Sequence, residues 1–371
     1  MTKPDTLILT AGPSISQKEI EYVTEAVKTG WNVHFRDYTT TFEKKFAEYL
    51  GVKYAMTTSG GTGALHLGLA ALGIGPGDEV ILPELTYFAC SDVIVLLGAK
   101  PVFVDIFPDT WCIDPEKIEK AITKKTKAIM PVDMYGNPVE MDEIKAISQK
   151  YHIPLVEDAC PAAGTLYKGK KMGSAGEFGA YSFQGAKIMV TGFGGMLVSN
   201  DEKLFQKAEY LNGHCEDPKK KFWQTGIGYS YEMPNVAAAL GLAQLERLEE
   251  FVTKKRQIFD WYYARLGHIE GISMNKERPN TKSNRWMSSI ILDNDFGITR
   301  DEMRIVLKDK YNVDNRPFFY PISSFPMYEE QDTPIAHHVC LNGINLPSGL
   351  GITEEQVDYI SSAVKEVLKV A

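Results

Sequence analysis

Three short segments carry residue types that could act together on one ligand. In the first, residues 57–65 (TTSGGTGAL) stand between an apolar run and an Ala/Leu-rich stretch. Gly60, Gly61 and Gly63 let backbone N–H groups approach an anion, and a helix start adds unpaired donors and a favourable dipole. No Gly-Lys-Ser/Thr follows, so this is a phosphate cradle without a Walker lysine; a plain capped helix after a flexible turn fits the same residues. The second segment, residues 153–160 (IPLVEDAC), ends an apolar run on Glu157 and Asp158. A carboxylate at the end of a buried strand points into a cleft or pairs with a cation. In a cleft it can keep a pyridinium nitrogen protonated, which makes the ring an electron sink; the alternative is a structural salt bridge. The third segment places Lys187 after the strand-like run 179–183, among small and apolar residues, with Gly192, Gly194 and Gly195 behind it. Most lysines are solvated, but desolvation in an apolar pocket lowers the pKa and makes a nucleophile and base. The glycine spacing does not match a dinucleotide fingerprint, and no acidic residue is suitably placed for one.

A phosphate cradle, a strand-end acid and a strand-end lysine, in that chain order, are what a pyridoxal 5′-phosphate (PLP) site requires. Such residues meet only if strands and helices bring them to one edge, because functional groups in open α/β sheets collect beyond the carboxyl ends of the strands. The hydrophobic pattern supplies those elements. Short β-branched runs at 54–58, 79–82, 101–105, 128–132, 154–156, 179–183 and 195–199 alternate with amphipathic stretches at 20–27, 41–50, 62–72 and 141–151. That alternation predicts a mostly parallel sheet covered by helices on both faces. From residue 236 to about 267 the pattern becomes a long helical stretch with a modest break near Glu250. A strand at 287–292, helices at 299–308 and 353–368, and a Pro/Phe/Tyr-rich loop at 316–328 follow. The expected organisation is a large PLP-binding domain with an N-terminal arm, residues 1–245, and a smaller C-terminal α+β domain, residues 246–371.

The composition narrows the function classes. Of 371 residues, 44% are hydrophobic and 24% charged, near the averages for a soluble globular chain with a sizeable core. A net charge of −8 and the absence of a basic tract longer than Lys219–Lys221 argue against a nucleic-acid partner. The cysteines, Cys90, Cys112, Cys160, Cys215 and Cys340, form no CxxC pair and no Cys/His cluster at zinc spacing, so no metal site is expected and a reducing compartment fits. The apolar run near the N-terminus is too short for a signal peptide, and no stretch approaches the roughly 20 apolar residues of a membrane span. A soluble, cytoplasmic protein with no membrane partner is expected.

Nearly end to end, the chain resembles the DegT/DnrJ/StrS family of nucleotide-sugar aminotransferases. The likeness is carried by Gly30-Trp31, residues 42–46 (FEKKF), 59–65, 77–83 (GDEVILP), 125–129 (KTKAI), Glu157-Asp158-Ala159, Ser182-Phe183 with Lys187, and 241–247 (GLAQLER). The runs 316–321 (RPFFYP) and 343–348 (GINLPS) resemble the perosamine-synthase-like branch in particular. The resemblance implies the aspartate-aminotransferase (type I PLP) fold. It implies that Lys187 anchors PLP as a Schiff base and shuttles protons, and that Asp158 pairs with the pyridine nitrogen. Gly61 and Thr62 would give backbone donors to the phosphate, Ser182 its hydroxyl, and Tyr87 would stack on the ring, though core packing is the alternative for Tyr87. Asn235 would reach the phosphate of a neighbouring subunit, making the active unit a homodimer with shared sites; the alternative for Asn235 is a helix cap.

The substrates implied are an amino donor, L-glutamate, and a keto-sugar nucleotide acceptor, with a GDP-4-keto-6-deoxyhexose leading. Another small keto or phosphorylated ketone substrate, a PLP-dependent sugar dehydratase and a PLP-binding sensor of the same fold are the rival readings. The dehydratase branch has His in place of the lysine, so Lys187 counts against it. Four departures from the family pattern fall near the expected pocket: Pro161 for Gln or Glu, Phe193 for Glu, Glu232 for a basic residue, and the segment Asn32–Tyr38 for a Ser/Gly-rich turn.

Overall fold

The computed structural model describes residues 3–370. Seven strands build the central sheet: β1 (Tyr54–Thr58), β2 (Glu79–Pro83), β3 (Lys100–Val104), β4 (Thr126–Ile129), β5 (Val156–Asp158), β6 (Phe178–Ser182) and β7 (Gly195–Ser199). Pairing gives the order β3-β2-β4 and β5-β6-β7-β1, and parallel bridges Ile129↔Leu155 and Val132↔Asp158 join the two halves. Only β7 runs antiparallel, to both β6 and β1. All the other strands therefore end at the same edge, which is where the three chemical segments lie. Most strand residues are buried, as expected for a sheet covered on both faces.

Helix α1 (Gln17–Thr29) starts in a capping box made by Ser16 and Glu19. Helix α2 (Asp37–Leu50) ends at Gly51, whose φ of 76° suits a residue without a Cβ. Helix α3 (Gly61–Leu72) is apolar almost all round and packs on β6 and β7. Its approach is close because a Cβ at Gly68 would stand 3.4 Å from both Phe178 and Val156. Phe42 and Phe46 of α2 meet Phe183 at 5.5 Å between ring centroids, which ties α2 to the segment after β6.

The later part of the chain forms an antiparallel sheet from Ile272–Ser273, Ser288–Leu292, Gly343–Leu346 and Arg316–Pro317. A second apolar cluster, including Ile258, Tyr262, Leu307, Val357 and Val364, lies against it and is joined by Ile8 from the N-terminal arm. The helical stretch after Pro234 divides earlier than the pattern suggests, into Asn235–Leu245 and Leu248–Leu266. Arg247 explains the position of the break. Its guanidinium bonds Glu19 at 2.8 Å and the Ser14 hydroxyl at 2.9 Å, and this tethers the turn to the start of α1. The change of core falls inside the helix Leu248–Leu266: Phe251 and Val252 join the first cluster, Ile258 and Phe259 the second. Trp286 and Phe318, later still in the chain, pack with the first cluster and so reach back to the sheet edge.

Candidate active site

The carboxyl ends of β1, β2, β5 and β6 surround a cavity of about 420 Å³. Its wall includes Gly61, Thr62, Tyr87, Asp158, Ser182 and Lys187, so the fold brings six of the seven residues singled out above to one place. Each is delivered by a local feature of the chain.

The strand β1 stops at Thr58, whose hydroxyl bonds the Gly60 carbonyl at 2.9 Å, and α3 begins at once. The first intrahelical bond is from the Ala64 N–H to the Gly60 carbonyl. Helix geometry leaves the N–H groups of Gly61, Thr62 and Gly63 without intrahelical partners, and Gly61 and Thr62 line the cavity. Residue 61 has no room for a side chain of its own: a Cβ on Gly61 would lie 2.6 Å from the Cys160 sulfur and 2.9 Å from the Ser182 Cβ. The Ser182 and Thr62 hydroxyls have no hydrogen-bond partner among the described residues.

Alternation along β5 sends its two carboxylates to opposite sides. Asp158 is buried at the cavity wall, where Oδ1 accepts the Cys160 N–H at 3.0 Å and Oδ2 accepts the Cys90 S–H at 3.0 Å. No cation lies within ion-pair distance of it among the described residues, so its charge is available to a ligand. Glu157 points away and accepts the backbone N–H groups of Gly173 and Ala175. Burial pushes its pKa up to about 7 despite those bonds. The carboxylate that faces the cleft is thus Asp158.

Lys187 follows a turn in which its N–H bonds the Gln184 carbonyl at 2.8 Å. The residue is half-buried, with its ammonium in the cavity, 4.0 Å from the centroid of the Trp286 indole. Loss of water pulls its pKa below the ordinary lysine range, against the opposing pull of Cys160, Asp158 and Cys90. Tyr87 is 46% exposed and stands 4.0 Å from the Phe88 ring and 5.4 Å from Phe319, so it is a cavity-wall residue rather than core. A lysine with a lowered pKa, an uncompensated carboxylate, free N–H groups and an aromatic wall fit PLP, with its aldehyde, pyridine nitrogen, phosphate and ring face.

Asn235 is the one residue not brought to the cavity. It is the first residue of its helix, and its Oδ1 accepts the N–H groups of Tyr38 at 2.9 Å and Thr39 at 3.3 Å, capping α2 rather than its own helix. It lines a separate hollow of about 380 Å³ with Phe35, Arg36 and Glu232. The Asn32–Tyr38 segment, a short 3₁₀ turn leading into α2, sits there too. Pro161 and Phe193 do line the main cavity, and Phe193 is 75% exposed at its mouth.

Cys90, Cys160, Trp286, Arg316 and Phe319 also line the wall, although nothing in the sequence assigned them a role in the site. Cys160 stands two residues after Asp158, and that spacing is a local signal for it. Trp286 had no local signal, because it arrives from the second sheet. Arg316 is distinctive: every other arginine lies within 4.0 Å of a carboxylate, and it alone has no such partner among the described residues.

A model of the DegT/DnrJ/EryC1/StrS aminotransferase family matches residues 13–365. The GDP-perosamine synthase of Caulobacter vibrioides is 39% identical over 366 residues, covering 97% of this chain and 98% of that one. That of Escherichia coli O157:H7 is 42% identical over 356 residues, covering 95% and 96%. Among solved structures, the PLP form of the putative sugar aminotransferase Spr1654 from Streptococcus pneumoniae superposes with a TM-score of 0.91 at 27% identity, covering 98% and 99%. The aminotransferase TlmJ from Streptoalloteichus hindustanus gives 0.92 at 29% identity, covering 98% and 99%.

Proposed function

Since this chain belongs to the DegT/DnrJ/EryC1/StrS aminotransferase family and is a PLP-dependent aminotransferase, we propose that it transfers an amino group from L-glutamate to a GDP-linked 4-keto-6-deoxyhexose. The observation that carries the assignment of roles is the convergence of Lys187, Asp158 and the free N–H groups of α3 on one cavity. The family resemblance in runs 316–321 and 343–348, and the two GDP-perosamine synthases, support the acceptor class.

When bound, PLP supplies an electron sink that stabilises negative charge on the carbon losing a proton. The chain supplies the rest. Asp158, with no cationic partner among the described residues, would hold the pyridine nitrogen protonated. The N–H groups of Gly61 and Thr62 and the Ser182 hydroxyl would hold the phosphate at the positive end of α3. Tyr87, on the cavity wall, would face the ring. Lys187 Nζ, poised by desolvation, takes the proton from the donor α-carbon and in the second half delivers one to the sugar carbon that receives nitrogen. Arg316 is the guanidinium left to meet an anionic substrate group.

The active unit in this reading is a homodimer with shared sites, formed in the cytoplasm. Asn235 keeps a donor for a partner's phosphate, because its Nδ2 makes only a 3.5 Å contact with the His34 carbonyl. Val33 and Phe35 beside it are 84% and 57% exposed, which suits burial against a second copy. No helix among the described residues is long and apolar enough to cross a membrane. In this reading a large domain runs to about residue 245 and a small one follows, with the helix Leu248–Leu266 contributing to both cores.

The test is the absorbance spectrum of the PLP-reconstituted protein before and after L-glutamate, with Lys187→Ala alongside, followed by mass spectrometry of GDP-4-keto-6-deoxyhexose incubated with the aminated enzyme. The visible band should bleach only in the parent protein, and the sugar nucleotide should gain an amino group. If no keto-sugar nucleotide accepts nitrogen, the acceptor class is wrong.

A further inference from the structure

In the proposed reaction Lys187 would be displaced from the cofactor by the amino donor and stay unattached until the end of the second half-reaction, so its free ammonium needs a place to rest. The chain offers it no carboxylate: among the described residues Lys187 forms no ion pair and its Nζ no hydrogen bond. Its close partner is the indole face of Trp286, 4.0 Å from Nζ to ring centroid. The same indole donates its Nε1–H to the carbonyl of Ala186, the residue before the lysine, at 2.7 Å. One side chain therefore touches both the tip of Lys187 and the backbone that carries it.

Trp286 is itself held from two sides. The Asn284 Oδ1 accepts its N–H at 2.9 Å, while the Asn284 Nδ2 bonds the Pro161 and Ala163 carbonyls, both at 2.9 Å, just beyond Asp158. From below, the buried Lys255 donates to the Trp286 carbonyl at 2.9 Å and to the Ser348 carbonyl. Arg285, between Asn284 and Trp286, has a φ of 52°, a backbone conformation that such anchoring must maintain.

We propose that Trp286 is a positioning residue for Lys187: it docks the unattached ammonium on its indole face and clamps the Ala186 carbonyl, so that the lysine stays aimed between half-reactions. This rests on Lys187 being the cofactor lysine. The ionisable groups around the ammonium are Asp158 and Cys160 at the end of β5 and Cys90 after β2, with Arg316 lining the same cavity. None of these is altered in kind when only residue 286 is changed, and Leu at 286 keeps an apolar neighbour while removing the ring face.

The experiment is trace acetylation of Lys187 across pH in the full-length, cofactor-free protein, read by mass spectrometry, for the parent, Trp286→Phe and Trp286→Leu. A cation–π contact favours the charged amine, so Trp286→Leu should move the midpoint of Lys187 reactivity down by about 0.4 to 1.5 pH units. Trp286→Phe keeps a ring face and should move it by less than half as much, while PLP capture slows because the Ala186 clamp is gone. An unchanged or raised midpoint in Trp286→Leu, with its melting temperature near the parent's, overturns the docking role. PLP capture at an unchanged rate in Trp286→Phe overturns the clamp. Capture of PLP with its visible band intact in Lys187→Ala would instead refute the identity of the lysine, so the two failures are distinguishable.

Discussion

Asp158→Asn isolates the electrostatic part of the proposed site. Asparagine has nearly the shape of aspartate: its Oδ1 can still accept the Cys160 N–H, and its amide group can face the Cys90 sulfur, the two partners held at 3.0 Å in the native chain. The local structure is preserved and only the charge is lost. Two unit charges in contact at about 4 Å interact by about 4 kcal/mol at an effective dielectric near 20. The carboxamide keeps part of this through its dipole, so the loss is about 2–4 kcal/mol, or roughly 30- to 1,000-fold in the rate of proton removal. Stopped-flow absorbance of the L-glutamate half-reaction under single-turnover conditions reads that rate directly. A PLP analogue methylated at the pyridine nitrogen carries a permanent positive charge and should restore much of the lost rate in the variant. If Asp158→Asn runs within threefold of the parent, or if the methylated cofactor gives no rescue, Asp158 does not act on the ring nitrogen as argued.

Further outcomes follow from the same geometry. Gly61→Ala places a Cβ 2.6 Å from the Cys160 sulfur, so the phosphate cradle must open; PLP affinity in a fluorescence titration should fall more than tenfold, with a stability loss of about 1–3 kcal/mol. Burial alone would raise the Glu19 carboxyl, but bonds from Ser16 and Arg247 outweigh it and hold the pKa at about 2. Its folded pKa lies below the unfolded value near 4.3, so the stabilisation is present above that value and is lost as pH falls towards 2. Glu19→Gln should therefore lower the melting temperature at pH 7 and converge with the parent near pH 2. Asn235→Ala removes the acceptor for the Tyr38 and Thr39 N–H groups and should cost about 1 kcal/mol of stability in chemical denaturation. A larger loss of PLP affinity than of stability in that variant, together with a shift from dimer to monomer in sedimentation, would mark its role across the subunit boundary. Finally, because burial depresses the Lys187 pKa, the rate of PLP capture by the apoprotein should level off with rising pH below the usual lysine range.

Much of this protein can be read along the chain. The alternation of β-branched runs and amphipathic stretches is a local, periodic signal, and it located strands such as Tyr54–Thr58 and Gly195–Ser199 and the helix Met141–Tyr151 at their observed limits. Glycines before an apolar helix, an acid at a strand end and a lysine in an apolar setting are also local signals, because each depends on the few residues around it. What the tertiary structure alone decided is which of these groups face one another. Strand alternation sent Glu157 into the core and Asp158 into the cavity, a choice that depends on where β5 ends relative to its neighbours. The same holds for Asn235, whose carboxamide meets the first-turn N–H groups of α2 some 196 residues away in the chain. Trp286 reaches the Ala186 carbonyl across 100 residues, and Arg316 stands out only when every other arginine is seen with its carboxylate. Composition and periodicity report how much apolar surface a segment must bury, and so they fix element type. Contacts between distant segments depend on the direction of single side chains after packing, and only the folded chain decides those.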